Sequence, residues 1–221
     1  MTKVAIDGPA GAGKSTISKK AAQALGYVYI DTGAMYRTVG LKAVRSGVDT
    51  TDEASLTELV RDIDIDIKCF GVDQHVYLDG EDVSGLIRTP EISIAASNVS
   101  KVPAVRLAMV EMQRNLAKNH DVVMDGRDIA SYVLPDAEVK IFLTASVEAR
   151  AKRRYDELLA KGEKVTLKEV TDDMIFRDKN DSEREFAPLK IDENAHVIDT
   201  SELTLSESID AVINYIRMNI K

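Results

Sequence analysis

The sequence predicts an α/β domain, a central parallel sheet flanked by helices in three layers, with a small antiparallel β insert and a short helical lid. Three observations predict it. Short apolar runs of strand type alternate with apolar residues at helical spacing, the pattern of a parallel sheet with crossover helices. From about Ile63 the pattern changes to strict alternation of apolar and acidic residues, which marks a half-buried antiparallel piece. From Val147 onward, charged helical stretches carry their own start and stop signals. At 221 residues and 44% apolar content, the chain can bury one full core and a small appended subdomain.

Val4, Ala5 and Ile6 form a short apolar run that ends in a glycine-rich turn, and Ile17, Ala21, Ala22 and Leu25 then recur at helical spacing up to Gly26. Tyr27 to Ile30 reads as a second buried strand, followed by a helix from about Ala34 to Ser46 with Gly47 at its C′ position. Ile63, Ile65 and Ile67 alternate with aspartates, Val76 and Leu78 flank Tyr77, and Asp79-Gly80 supplies a hairpin turn, so the insert runs from about Ile63 to Val83. Pro103 suits the first turn of a helix carrying Val105, Met109, Met112 and Leu116 on one face. Val122 to Met124 and Val139 to Leu143 are further parallel strands. A charged helix from about Val147 to Lys161 stops at Gly162, and the capping box Thr166-Leu-Lys-Glu169 opens the next. Val197 and Ile198 complete the sheet, and a last helix opened by Thr204-Leu-Ser-Glu207 buries Ile209, Val212, Ile213 and Ile216. No repeat or low-complexity tract interrupts the unit. The expected division is a core of residues 1–62, 84–146 and 185–221, an insert of residues 63–83 and a lid region of residues 147–184.

With 29 basic and 37 acidic side chains, a net charge of −8, the overall field repels phosphate polymers, so long nucleic acid is not an expected partner. A small anion is still admissible, because arginines can gather in a pocket while the rest of the surface stays acidic. One cysteine, Cys69, cannot close an internal disulfide and reads as a small apolar filler, in keeping with a reducing compartment. Met1 to Asp7 lead straight into a strand pattern without a secretory signal, and no apolar run reaches the roughly 18 residues needed to span a membrane. A cytoplasmic protein is therefore expected. His75, His120 and His196 show no metal-ligand spacing.

Gly8-Pro9-Ala10-Gly11-Ala12-Gly13-Lys14-Ser15 satisfies G-x-x-x-x-G-K-[ST] and falls between a strand and a helix, where the P-loop mechanism requires it. The glycines let successive N–H groups converge on phosphate oxygens, the helix start adds its dipole, and Lys14 reaches the β and γ phosphates. Ser15 is then the expected Mg²⁺ ligand. GTPase switches also use such a loop, but they usually carry N-K-x-D and D-x-x-G segments, and neither stands in a suitable place here. That favours a kinase over a switch. Arg37, Arg106, Arg127, Arg150, Arg153, Arg154, Arg177 and Arg184 fall near strand ends or on adjoining helices, where open parallel sheets bind ligands. Guanidinium forks suit phosphates, and phosphoryl transfer rests on positioning and charge neutralisation. Asp125 has two readings, a helper to Mg²⁺ through water or a structural residue of the strand-end turn.

At these residues the chain resembles bacterial cytidylate kinases, which are P-loop nucleoside monophosphate kinases. The resemblance is carried by Gly8 to Thr16, Asp31-Thr-Gly-Ala-Met-Tyr-Arg37, Gly126-Arg-Asp128, Ala151-Lys-Arg-Arg-Tyr155, Arg177 through Asp181, and Arg184 to Ala187-Pro188-Leu189, and it runs through essentially the whole chain. It implies ATP·Mg²⁺ in the loop Gly8 to Thr16, with CMP or dCMP as acceptor and a monomer as the working unit. By resemblance, Ser97, Arg106 and Asp128 contact the cytosine base, Arg177 and Asp181 the sugar, and Arg37, Arg127 and Arg184 the acceptor phosphate, with Thr32 beside them. Arg150, Arg153 and Arg154 become lid candidates that close over the transferring group and exclude water, and with Lys14 and Arg127 they make up the expected catalytic set. Two departures stand out: the loop ends Lys-Ser-Thr where many relatives have Lys-Gly-Thr, which moves a Mg²⁺ role from Thr16 to Ser15, and Thr32 replaces a frequent serine while keeping the hydroxyl. The competing readings are another nucleotide kinase, a small-metabolite kinase and a non-enzymatic nucleotide switch.

Overall fold

The computed structural model describes residues 1–70 and 73–220. In chain order the elements are β1 (Lys3–Asp7), α1 (Lys14–Leu25), β2 (Val28–Asp31), α2 (Thr32–Arg45), α3 (Glu53–Arg61), β3 (Ile65–Phe70), β4 (Asp73–Leu78), β5 (Glu81–Asp82), α4 (Pro90–Val99), α5 (Pro103–Ala117), β6 (Val122–Gly126), β7 (Val139–Thr144), α6 (Val147–Ala160), α7 (Leu167–Glu183), β8 (His196–Asp199) and α8 (Leu205–Asn219). Five strands make one sheet in the order β2-β6-β1-β7-β8, and all its pairings are parallel. The predicted central parallel sheet is therefore present. The register pairs Asp7 with Gly126 and with Phe142, and Asp31 with Asp125, so these carboxylates crowd the carboxyl edge where such sheets bind ligands.

Burial on both faces explains the continuous apolar strands. On one face Ile17, Ala21 and Ala22 of α1 and Val212 and Ile216 of α8 cover Val4, Ile6, Ile141 and Leu143. On the other, Val110 and Ala117 of α5 and the π-helical segment Ile129–Val133 cover Ala5, Val122 and Met124. The second sheet, β3-β4-β5, is antiparallel. Ile65, Ile67, Val76 and Leu78 turn inward from it to meet Met35 and Val39 of α2, Leu56 of α3 and Met109 of α5, while Asp66 and Lys68 face outward. Asp79 at φ 50° and Gly80 at φ 81° form the two left-handed residues of the expected tight hairpin.

Two helices lie where the sequence pattern suggested none. Helix α3 is nine residues long, too short for its apolar stripe of Leu56, Leu59 and Val60 to repeat, and it is held at its start by Asp52, which accepts from the Ala54 and Ser55 N–H groups. Helix α4 opens with Thr89 as cap and Pro90 in its first turn. Helix α2 begins at Thr32, earlier than the expected Ala34, because the Asp31 side chain accepts from the Ala34 N–H at 3.0 Å. Both predicted capping boxes form, Thr166 with Glu169 and Thr204 with Glu207.

At the end of α1, Gly26 holds φ 72° with no atom within 4 Å of a would-be Cβ. Gly26→Ala is thus expected to cost only left-handed backbone strain, about 1 kcal/mol, read as a lowered urea midpoint with unchanged slope. An unchanged midpoint would show that the cap does not hold this conformation.

Candidate active site

Between β1 and α1, the loop from Gly8 to Thr16 curls at the carboxyl edge of the sheet. A Cβ on Gly8 would sit 1.9 Å from the Leu143 carbonyl oxygen, so only glycine lets the loop leave β1 this close to β7. Helix α1 has no side-chain cap and no acidic residue in its first turn, which leaves its N–H groups and positive dipole end for an anion. Lys14 is buried, and its ammonium donates to the Gly8 and Pro9 carbonyls, both at 2.7 Å. Burial, aided by the neighbouring Arg127, holds its pKa well below that of a free lysine. Ser15 Oγ donates to Asp125 Oδ2 at 3.0 Å, and Tyr29 donates to the other oxygen of the same carboxylate at 3.0 Å. Burial, with Asp31 nearby, pushes Asp125 up to about 6. Asp7, raised to about 7 mainly by burial, accepts the Ile129 and Ala130 N–H groups and so fixes the segment just after Asp128.

Facing the loop are arginines drawn from distant parts of the chain. Asp31 Oδ2 accepts from Arg37 at 2.9 Å and from Arg88 at 3.3 Å. Asp128 accepts from Arg106 at 2.5 Å through one oxygen and from Arg184 at 3.2 Å through the other. Each cluster therefore carries one guanidinium more than its carboxylates can balance. Arg127 Nε donates to Asp181 Oδ2 at 2.6 Å, and among the described residues Arg177 pairs only with Asp173, at 4.0 Å. Burial, reinforced by the like charge of Arg127, lowers the Arg177 pKa. Arg127 also bears on Lys14 and Asp31, and Arg37 bears on Arg177, so these groups share one field. At Asp128, where both guanidinium groups are buried, the surplus positive charge is costly unless an anion completes it, whereas Arg88 beside Asp31 is exposed to solvent.

The Arg106–Asp128 pair lies deepest. Arg106 has no exposed surface, its Nη1 donates to the Ser100 carbonyl at 3.2 Å, and its Nε has no hydrogen-bond partner among the described residues. Ser97 is buried nearby and accepts from Asn180 at 3.3 Å. Thr32 Oγ1 donates to the Asp125 carbonyl at 2.7 Å, which ties the start of α2 to the end of β6. The result is a buried polar cluster that brings together the Asp128 carboxylate, the Ser97 hydroxyl and the guanidinium groups of Arg106 and Arg184.

A family model described as cytidylate kinase matches residues 4–218. The chain belongs to the cytidylate kinase family. A cytidylate kinase of Caldicellulosiruptor bescii is 53% identical over 95% of this chain and 93% of its own length. One from Caldanaerobacter subterraneus subsp. tengcongensis is 51% identical over 99% of this chain and 96% of its own length. Among solved structures, shikimate kinase from Bacteroides thetaiotaomicron shares the fold, with a TM-score of 0.50 and 13% identity over 98% of this chain and 96% of that one. A protein from Eubacterium ventriosum matches with a TM-score of 0.55 and 13% identity over 98% of this chain and 99% of that one.

In this member of the cytidylate kinase family the three arginines of α6 have separate destinations. Arg150 is buried under the loop, donating to the Ala145 carbonyl at 2.9 Å and to the Ala10 carbonyl at 2.8 Å, with Asp178 at 2.7 Å. Arg153 turns to the far end of β8, where it donates to the Thr200 side chain at 3.1 Å and to the Thr200 carbonyl at 2.5 Å. Arg154 pairs with Glu157 at 2.8 Å along its own helix. Asp178, which also accepts the Ala10 N–H at 3.3 Å, joins α7 to the loop. Asp178, Arg88, Asn180, Tyr29 and Tyr36 are neighbours of the site that pattern reading did not single out. The Asp31 to Arg37 and Arg177 to Asp181 segments held a signal for three of them, whereas nothing local marks Arg88 or Tyr29.

Proposed function

We propose that the chain transfers the γ-phosphate of ATP to CMP or dCMP, releasing ADP and CDP or dCDP by in-line displacement. The observation that carries this reading is the pairing of an uncapped phosphate loop with a buried Arg106–Asp128–Arg184 cluster that holds excess positive charge. Lys14 and the loop N–H groups, from Gly8 to Thr16, hold the donor phosphates. Arg37, Arg127 and Arg184 hold the acceptor phosphate, and Arg177 and Asp181 the sugar. A monophosphate with a second pKa near 6 is already largely dianionic at neutral pH, so no general base is needed.

Cytosine presents an N4 amino donor beside N3 and O2 acceptors. The spare lone pairs of Asp128 accept from the amino group, and the Arg106 donors and the Ser97 hydroxyl serve the acceptor edge. Uracil has a carbonyl at position 4, which faces the carboxylate unfavourably, and a buried mismatch of this kind is costly. The hydroxyl of Ser15 and the carboxylate of Asp125 are hard oxygen donors that suit Mg²⁺, Ser15 directly and Asp125 through water. When bound, the ion neutralises charge developing on the transferring phosphoryl group.

Arg150, Arg153 and Arg154 belong to a lid formed by residues 147–184, with residues 63–83 as the nucleotide-side insert. In the described arrangement Arg150 is clamped by Ala10 and Asp178, so its part in transfer depends on release from that clamp when ATP enters. Among the described residues no helix is long and apolar enough to cross a membrane. The reading is of a monomeric, cytoplasmic enzyme of pyrimidine metabolism. It is tested by ADP release from ATP·Mg²⁺ in the presence of CMP, dCMP, UMP, AMP or shikimate. Turnover with CMP and dCMP far above the others is expected; slow hydrolysis indifferent to the acceptor would indicate a nucleotide switch instead.

A further inference from the structure

The guanidinium carbon of Arg106 stands 5.3 Å from the centroid of the Tyr36 ring and 6.0 Å from that of Phe186. Because Arg106 is wholly shielded from water, its charge is answered by Asp128 and by these two aromatic faces. Phe186 in turn meets Tyr132 edge-on, with centroids 5.0 Å apart at 75°. Tyr132 lies in the π-helical segment that Asp7 anchors, and its ring lies beneath the Arg114 guanidinium at 5.6 Å.

Phe186 sits in the short turn that follows α7 and carries Arg184. Arg184 Nε donates to the Ala187 carbonyl at 2.7 Å, and Ala187 is held at φ 47°, a left-handed conformation that alanine adopts only when its surroundings impose it. The Leu189 N–H donates to the Asp181 carbonyl at 2.8 Å, which closes the turn onto α7. One strained turn thus delivers a guanidinium to one oxygen of Asp128 and an aromatic ring to the arginine on the other oxygen. A ring placed only to fill space would not need to meet the buried charge, and a segment needed only for Arg184 would not need the ring.

We infer that Phe186 is a positioning residue for base recognition. By touching both Arg106 and Tyr132, it couples the seating of the 184–189 turn to the orientation of the Arg106–Asp128 pair. This inference deepens the CMP reading given above and rests on it. The phosphate contacts of the donor nucleotide lie elsewhere, so loss of the ring falls on the acceptor nucleotide and spares ATP.

The test is steady-state kinetics of the wild type and of Phe186→Ala, Phe186→Leu and Phe186→Tyr, with ATP, CMP and UMP each varied. For Phe186→Ala the KM for CMP is expected to rise about tenfold, with the preference for CMP over UMP falling in parallel and the KM for ATP changing less than about twofold. Phe186→Leu, which keeps bulk without a π face, falls between, and Phe186→Tyr restores the wild-type values. An unchanged CMP KM and CMP-to-UMP ratio in Phe186→Ala, or equal rises in KM for CMP and ATP, overturns the inference. If the alanine protein does not fold, the leucine and tyrosine proteins decide on the same ratio. Failure of the wild type to phosphorylate CMP sinks the functional reading itself, whereas a CMP-active wild type with an indifferent Phe186→Ala sinks only the role of the ring.

Discussion

Lys14→Met is expected to lower phosphoryl transfer by about a hundred- to a thousandfold while leaving the fold intact. Lys14 is buried, its pKa is depressed, and its hydrogen bonds go to two backbone carbonyls of its own loop. A cation so placed gains little from those carbonyls compared with a triphosphate, and removing one such charge-stabilising donor from a water-poor site costs on the order of a hundred- to a thousandfold in rate. Methionine is close to the lysine stem in size and suits a buried position, so the fold should tolerate it. The check is turnover with saturating ATP and CMP beside a thermal melt: a normal melt with lost turnover is expected, and wild-type turnover would remove the lysine from the mechanism.

Asp128→Asn should strike the acceptor alone. The substitution keeps the shape of the side chain but removes the only carboxylate that Arg106 and Arg184 share. Two buried guanidinium groups then face an amide with one acceptor oxygen, and the cytosine amino group loses its partner as well. A hundredfold rise in KM for CMP is expected, on the order of 3 kcal/mol, the scale of breaking one buried charged pair. The preference for CMP over UMP should shrink, because an amide can offer a donor to the uracil carbonyl. ATP affinity, measured separately by titration calorimetry, should stay within about twofold of the wild type. Equal loss of both nucleotides would mean that the substitution damages the fold instead of the base site.

The parts of this molecule that were legible in the sequence are those encoded by neighbours along the chain. Strands β1 and β6 are buried on both faces and read as short continuous apolar runs, β7 does so apart from Lys140, and β3 and β4 bury one face and alternate. The phosphate loop is contiguous, and its glycines and lysine carry their own geometry. What stayed hidden is set by long-range packing. The carboxylate shared by Arg106 and Arg184 lies 22 and 56 residues away from them along the chain, and Arg127 finds Asp181 at a separation of 54. Local periodicity cannot report such pairings; a family resemblance can, because it names the residues together. The family resemblance groups Arg150, Arg153 and Arg154 together as lid candidates. Helical spacing fixes where the Cβ atoms lie, but a long flexible side chain carries its head several ångströms further, and the three heads go to Ala10, Thr200 and Glu157.

A crystal structure with ADP and CMP bound is decisive for this assignment of the site. The β-phosphate is expected within hydrogen-bond reach of the loop N–H groups and of Lys14 Nζ, and the cytosine edge against Asp128 and Arg106. CMP bound elsewhere, with Arg37, Arg127, Arg177 and Arg184 turned away from its phosphate and sugar, would contradict it.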